Sequence, residues 1–248
     1  MQDLSFNKLF RTAQRGRFQT LFVSLISLAL ITPFVKHSAF GSVFFYGLLS
    51  LSLLAAVLAV SDQRGPAYLA AGLLWIAFMA FTWATFFEER LVSSLVANTI
   101  ADGAVFIALA FTATLILRVA ISPGPVTTDK IFAAVCVYLI SGIAWGLLYV
   151  MVYLNDAGAF MFSFGEPWLE ETPNDTSSLF SVFCYFSFVT MTTLGYGDLS
   201  PTSDLSRTLA WLQAVLGQLY IAILIARLVG MHAQKVHEQL KMDPPAKK

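Results

Sequence analysis

The chain has 248 residues, a formal net charge of zero, 57% hydrophobic residues and only 12% charged ones, against about 25% charged in ordinary soluble domains. Its apolar residues fall in uninterrupted blocks long enough to cross a bilayer, which takes about 20 helical residues. That excludes an ordinary soluble domain, and the charge balance gives no reason to expect a nucleic-acid partner.

Residues 1–17 are polar and basic, with an apolar stripe at Phe6, Leu9, Phe10 and Ala13 and with Lys8, Arg11 and Arg15 off it. The pattern predicts a cytoplasmic helix lying in the membrane interface, the alternative being a disordered basic tail. Spanning candidates follow at 18–35, 39–60, 66–87, 103–121, 131–154 and 208–231, divided by charged or helix-breaking segments such as Lys36-His37, Glu88-Glu89-Arg90 and Ser122-Pro123-Gly124-Pro125. The first four form a peripheral unit over 18–121. The first block has no small-residue cleavage pattern and reads as a span, not a signal peptide. Residues 91–101 predict an interfacial extracellular helix, with Asp102 capping the fourth span. Cys136 and Cys184 lie in apolar surroundings without a CxxC or Cys/His cluster, so buried free thiols are expected, a disulfide being the alternative.

Orientation follows from Lys and Arg. With a cytoplasmic N-terminus only Lys36, Arg90 and Arg207 face outward and every other Lys and Arg faces inward. Both termini are therefore expected in the cytoplasm, with the protein in the cell membrane. The loop 155–175 is then extracellular, and it carries Asp156, Glu166, Glu170, Glu171 and Asp175 but no Lys or Arg. It is a solvated loop, and as an acidic collar it could also concentrate cations. Residues 179–191 are apolar but, at about 13 residues, too short to span, which predicts a re-entrant or buried helix.

Directly after it stands Thr192-Thr193-Leu194-Gly195-Tyr196-Gly197-Asp198. This segment resembles the selectivity-filter signature of potassium channels. Five positions match in a fixed frame, which at residue frequencies of roughly 5–7% has a chance probability on the order of 10⁻⁴ in this chain. Such a filter replaces the hydration water of the ion with backbone carbonyls. Glycines at 195 and 197 supply the positive φ that aims those carbonyls without a Cβ clash. The resemblance implies K⁺ as the transported ion, held by the carbonyls of Thr193, Leu194, Gly195 and Tyr196 and by the Thr193 hydroxyl. Thr192, Gly197, Asp198 and Tyr185 would support the loop, and Tyr196 would turn its ring outward. Four positions depart from the family pattern. Leu194 stands where valine is usual, Tyr185 and Phe186 replace a tryptophan pair, and Val189 replaces the glutamate some channels place behind the filter. A Tyr185 hydroxyl could still reach Asp198 as the first tryptophan does.

In the sixth span Gly217 is either a hinge or a close-packing glycine. If it faces the cavity, Ile221, Ile225 and Val229 share its side and form a hydrophobic constriction. The fourth span is not a voltage sensor: stepping back by threes from Arg118 meets Leu115, Thr112, Leu109 and Phe106. A sensor needs several charges, since each yields only about 2.3 kcal/mol per 100 mV. Arg118 and Arg227 read as snorkelling anchors. Residues 232–248 read as a short cytoplasmic tail without a soluble regulatory domain.

The expectation is an all-α integral membrane protein with six transmembrane helices, a re-entrant pore helix and a filter loop. Its pore domain covers 131–231. One filter segment per chain implies a homotetramer, with itself and membrane lipids as partners. The alternatives are a weakly selective cation channel and a non-conducting regulatory subunit. An enzyme is disfavoured: there is no His-Glu-x-x-His or Gly-x-Ser-x-Gly, and His37, His232 and His237 lie outside the spans.

Overall fold

Apolar side chains at helical spacing decide how the helices dock. The computed structural model describes residues 17–31, 47, 94–124, 127–163 and 176–242. In α1 (Arg17–Ile31) Phe18, Leu21 and Leu25 are buried on one face. Beside them Phe22 meets Phe132 with ring centres 5.3 Å apart. In α2 (Ser94–Ala120) the buried stripe is Asp102, Val105, Ala108, Leu109, Thr112 and Ile116. Both helices pack on α3 (Thr128–Asn155), which also touches every later helix and is buried around most of its girth.

The interfacial helix expected at 91–101, with its cap at Asp102, does not form: Ser94 to Ala120 is one helix. Residues 94–102 contain no proline or glycine, and Gly103 costs only about 1 kcal/mol in a helix interior, so propagation meets no stop. Asp102 lies inside the helix, 1% exposed, and its Oδ2 has no hydrogen-bond partner among the described residues.

The carbonyls just past α2 are held by cations from two other helices. Lys130 Nζ donates to Ser122 O at 3.0 Å and Pro123 O at 3.2 Å. Arg227 donates to Ile121 O and, at 3.1 Å, to Ser122 O. Carbonyls at a helix end have no intrahelical donor, which makes cations welcome there. Thr127 caps α3 by accepting from Lys130 N at 3.3 Å, so that helix begins at Thr128, ahead of the expected 131.

The short helix α4 (Thr176–Met191) has 16 residues, about 24 Å of rise against about 30 Å of hydrocarbon. Two glycines let it lie directly on α3. A Cβ at Gly142 would run into the Phe188 ring, and one at Gly146 would sit 3.0 Å from Cys184 Cα. Aromatic edges fill the neighbouring space: Phe160–Phe183 at 4.8 Å and Tyr149–Phe186 at 4.9 Å. Cys136 and Cys184 are both free thiols.

An all-α chain was the expectation, but a small antiparallel ribbon is present. β1 (Phe160–Phe162) pairs with β2 (Leu199–Pro201) in the register Phe160↔Pro201, Met161↔Ser200, Phe162↔Leu199. Ser163 N donates to Asp198 O at 2.8 Å and Thr202 N to Ala159 O at 2.9 Å. Hydrogen-bonded and non-bonded pairs alternate in such a ladder, so Pro201 falls at a non-bonded position where its missing N–H is not needed. Two strands of three residues each are too short to leave a periodic signal in the sequence.

α5 (Asp204–Met242) is continuous for 39 residues, starting ahead of the expected 208. The segment read as a tail from 232 is thus helical to Met242. Among the described residues, three helices are long and apolar enough to cross a membrane, at Asp102–Ala120, Thr128–Asn155 and Asp204–Arg227. The expected spans at 39–60 and 66–87, residues 1–16 and the acidic stretch 164–175 lie outside the described residues. The span expected at 18–35 is described as far as Ile31.

Candidate functional site

The segment 192–198 begins as a helix terminus. At the end of α4, Leu194 N donates to Val189 O at 2.9 Å and Thr193 N to Thr190 O at 3.0 Å. These are the two bonds of a Schellman motif, which places Thr193 at the left-handed position usually held by glycine. Its φ is 60°, the one positive φ outside glycine among the described residues. A β-branched residue there is an outlier. Such strain, of order 1–3 kcal/mol, persists where the surroundings impose it.

The alternation then continues. Gly195 has φ 59° and Gly197 φ 76°, whereas Leu194 and Tyr196 between them stay out of the positive region. Alternating left- and right-handed residues turn successive peptide groups the same way, N–H to one side and C=O to the other. Consistent with that, the N–H groups of Leu194 and, at 3.4 Å, Gly195 both point back at Val189 O. The Thr193 hydroxyl donates to Thr192 O at 2.6 Å, which leaves its lone pairs available. Thr192 itself donates to Phe188 O at 2.7 Å. Sequence reasoning assigned positive φ to Gly195 and Gly197 but missed Thr193.

At the outer end, Tyr185 on α4 donates to Asp198 Oδ2 at 2.6 Å, while Asp198 Oδ1 accepts from Leu199 N at 3.0 Å. Tyr185 lies outside the three spans. Its pKa is pushed up to about 12, first by the hydrogen bond it would lose on ionising, then by desolvation and the charges of Asp198 and Tyr196. The donor therefore persists through the neutral range. The side chains of Leu194 and Tyr196 are 54% and 67% exposed on the single chain.

Gly217 is buried. A Cβ there would sit 2.5 Å from Met191 Cγ and 2.9 Å from Met191 O, so its role in this structure is close packing of α5 on the end of α4. The candidate gate residues do not share its surroundings: Ile221 is half-buried, while Ile225 and Val229 are exposed. Gln218 Nε2 of α5 donates to Met191 O at 3.2 Å, and Tyr138 Oη of α3 donates to the same oxygen at 3.4 Å.

A second buried set was missed altogether. Tyr149 on α3 donates to Gln213 Oε1 on α5 at 2.7 Å, and Gln213 Nε2 donates to Ser187 Oγ on α4 at 2.6 Å. Ser187 in turn donates to Gly142 O at 2.6 Å. All three side chains are fully buried. The signal was available: Gln213 is a polar residue in mid-span, and such residues are costly in a membrane unless they are used.

Comparison with known families bears on this same region. No curated protein and no solved structure matches the chain. A family model described as ion channel matches residues 135–233, from α3 through α4 and the 192–198 segment into α5. The likeness supports ion-channel function and a helical membrane protein, and it points to a transporter-type protein, not an enzyme.

Proposed function

We propose that this chain is one subunit of a potassium-selective channel in which four copies set residues 192–198 around a common axis. The observation that carries the reading is the alternation of backbone handedness at Thr193, Gly195 and Gly197, directly behind the end of a helix too short to span. It is the geometry by which one strand presents a row of carbonyls. Those of Thr193, Leu194, Gly195 and Tyr196, with the Thr193 hydroxyl, would replace the water that a potassium ion sheds. The negative end of the α4 dipole favours a cation at the inner end of the row. One chain supplies one row, and the exposed Leu194, Tyr196, Trp211, Val215, Leu219 and Ile223 are faces that further copies and lipid would cover.

The bond from Tyr185 to Asp198 favours the selective reading over a weakly selective one, because it ties the outer end of the loop to a rigid helix. Conduction is passive, with both termini cytoplasmic and the acidic loop outside. Purified protein in liposomes tests this directly. Potassium and rubidium flux should far exceed sodium and lithium flux, and a bi-ionic reversal potential near zero for potassium against sodium would overturn it.

A further inference from the structure

The Gly197 carbonyl accepts from two hydroxyls, Ser163 Oγ and Ser200 Oγ, each at 3.3 Å. A carbonyl oxygen has two lone pairs, so both are engaged. Ser163 also donates its amide to the next carbonyl, Asp198 O, at 2.8 Å. These contacts come from the ribbon of β1 and β2, whose base is fixed to the start of α5. Ser206 Oγ donates to Ala159 O at 2.7 Å, and Thr202 Oγ1 donates to Gly158 O at 2.5 Å. A chain segment entering from α3 therefore grips the backbone just outside Tyr196.

We propose that Ser163 and Ser200 are positioning residues that brace the outer end of the filter by occupying the Gly197 carbonyl, so that the row of ion ligands ends at Tyr196. The inference rests on the potassium-channel reading above and adds to it a device in the extracellular ribbon. The glycine at 197 has no side chain to anchor it, and a Cβ there would meet nothing within 4 Å. Its orientation is therefore set by the partners of its carbonyl and not by packing. Without the two hydroxyls that carbonyl is free to rotate toward the axis, and the outermost ion site loses its fixed edge.

The experiment compares the full-length wild type, Ser163→Ala/Ser200→Ala, Ser163→Thr/Ser200→Thr and Thr202→Val in planar bilayers at low and high external potassium. The double alanine variant should show current decay accelerated at least about fivefold at low external potassium, the ratio sustained by one net hydrogen bond, with high potassium restoring the current. The double threonine variant, which keeps both hydroxyls, should decay like wild type. Thr202→Val removes a bond of the same ribbon away from Gly197 and should also decay like wild type, so ribbon stability alone cannot produce the pattern. Should the double alanine variant fail to assemble, Ser200→Ala alone is read the same way. A wild type without potassium selectivity overturns the channel reading and the brace with it. A selective wild type whose alanine variants decay unchanged, or whose Thr202→Val variant decays as fast, overturns the brace alone.

Discussion

The hydroxyl of Tyr149 lies 2.7 Å from Oε1 of Gln213, a fully buried bond that joins α3 to α5. Gln213 spends its other end on Ser187, so three helices are registered by one amide. Gln213→Leu keeps the volume and strands the Tyr149 hydroxyl. Bonds between membrane helices are worth on average about 0.6 and at most about 1.7 kcal/mol. The variant should therefore lose about 1–2 kcal/mol of resistance to unfolding in detergent. Gln213→Glu in its protonated form should lose less, and equal stability for wild type and leucine variant would remove the network from the account.

Thr193 holds a position where glycine costs nothing. Thr193→Gly should relieve about 1–2 kcal/mol of backbone strain while deleting the hydroxyl assigned to the ion. The expected result is a protein at least as stable to heat as the wild type, with a reduced potassium-to-sodium permeability ratio. If stability falls and selectivity holds, the strain has been misread.

Gly195 and Gly217 separate two uses of the same residue. At Gly195 a methyl group meets nothing within 4 Å, but φ is +59°; at Gly217 the backbone is ordinary helix, but the methyl group would lie 2.9 Å from Met191 O. Gly195→Ala should degrade selective conduction with membrane insertion and oligomer size intact. Gly217→Ala should instead destabilise the fold by about 1–3 kcal/mol, as overpacking does, and weaken the Gln218 bond to Met191. Flux assays and thermal melts on both variants distinguish the two patterns, and a Gly217→Ala protein of wild-type stability would contradict the packing assignment.

Tyr185→Phe removes one hydroxyl from the bond to Asp198. Potassium current should become less sustained, and Tyr185→Trp, which restores an N–H donor in a bulkier ring, should recover part of the loss. Identical currents in all three proteins would show that the bond does not matter to the loop.

The every-third positions of α2 before Arg118 are Phe106, Leu109, Thr112 and Leu115, none of them basic, and Arg118 is exposed. Open probability should respond only weakly to voltage, and Arg118→Gln should leave that response unchanged. A gating charge of several elementary units, abolished in Arg118→Gln, is the result that rules this out.

What could be read from the chain before folding follows the range of each interaction. The short length of 179–191, the glycines at 195 and 197, the hydroxyl at Tyr185 and the lack of a basic ladder over 103–121 are local properties, and sequence carries them. Asp102 was misjudged because an acid after a polar stretch looks like a cap, although nothing between Ser94 and Asp102 halts a helix. Thr193 was missed because its left-handed φ is imposed by the Schellman bonds to Val189 and Thr190, against its own preference. The ribbon and the Gln213 network join residues far apart in sequence, Ser163 with Asp198 and Tyr149 with Gln213, and no periodicity records such pairings.

The turn between α2 and α3 has a consequence for how the protein is made. The two helices are neighbours in sequence and pack on each other within one chain, and the carbonyls of Ile121, Ser122 and Pro123 are tied down by Lys130 and Arg227. Contacts between adjacent segments close small loops and form early. A ribosome-bound chain can therefore complete the α2–α3 hairpin as soon as both helices leave the insertion machinery. Only the last step, arrival of α5 with Arg227, has to wait for the C-terminal third of the protein.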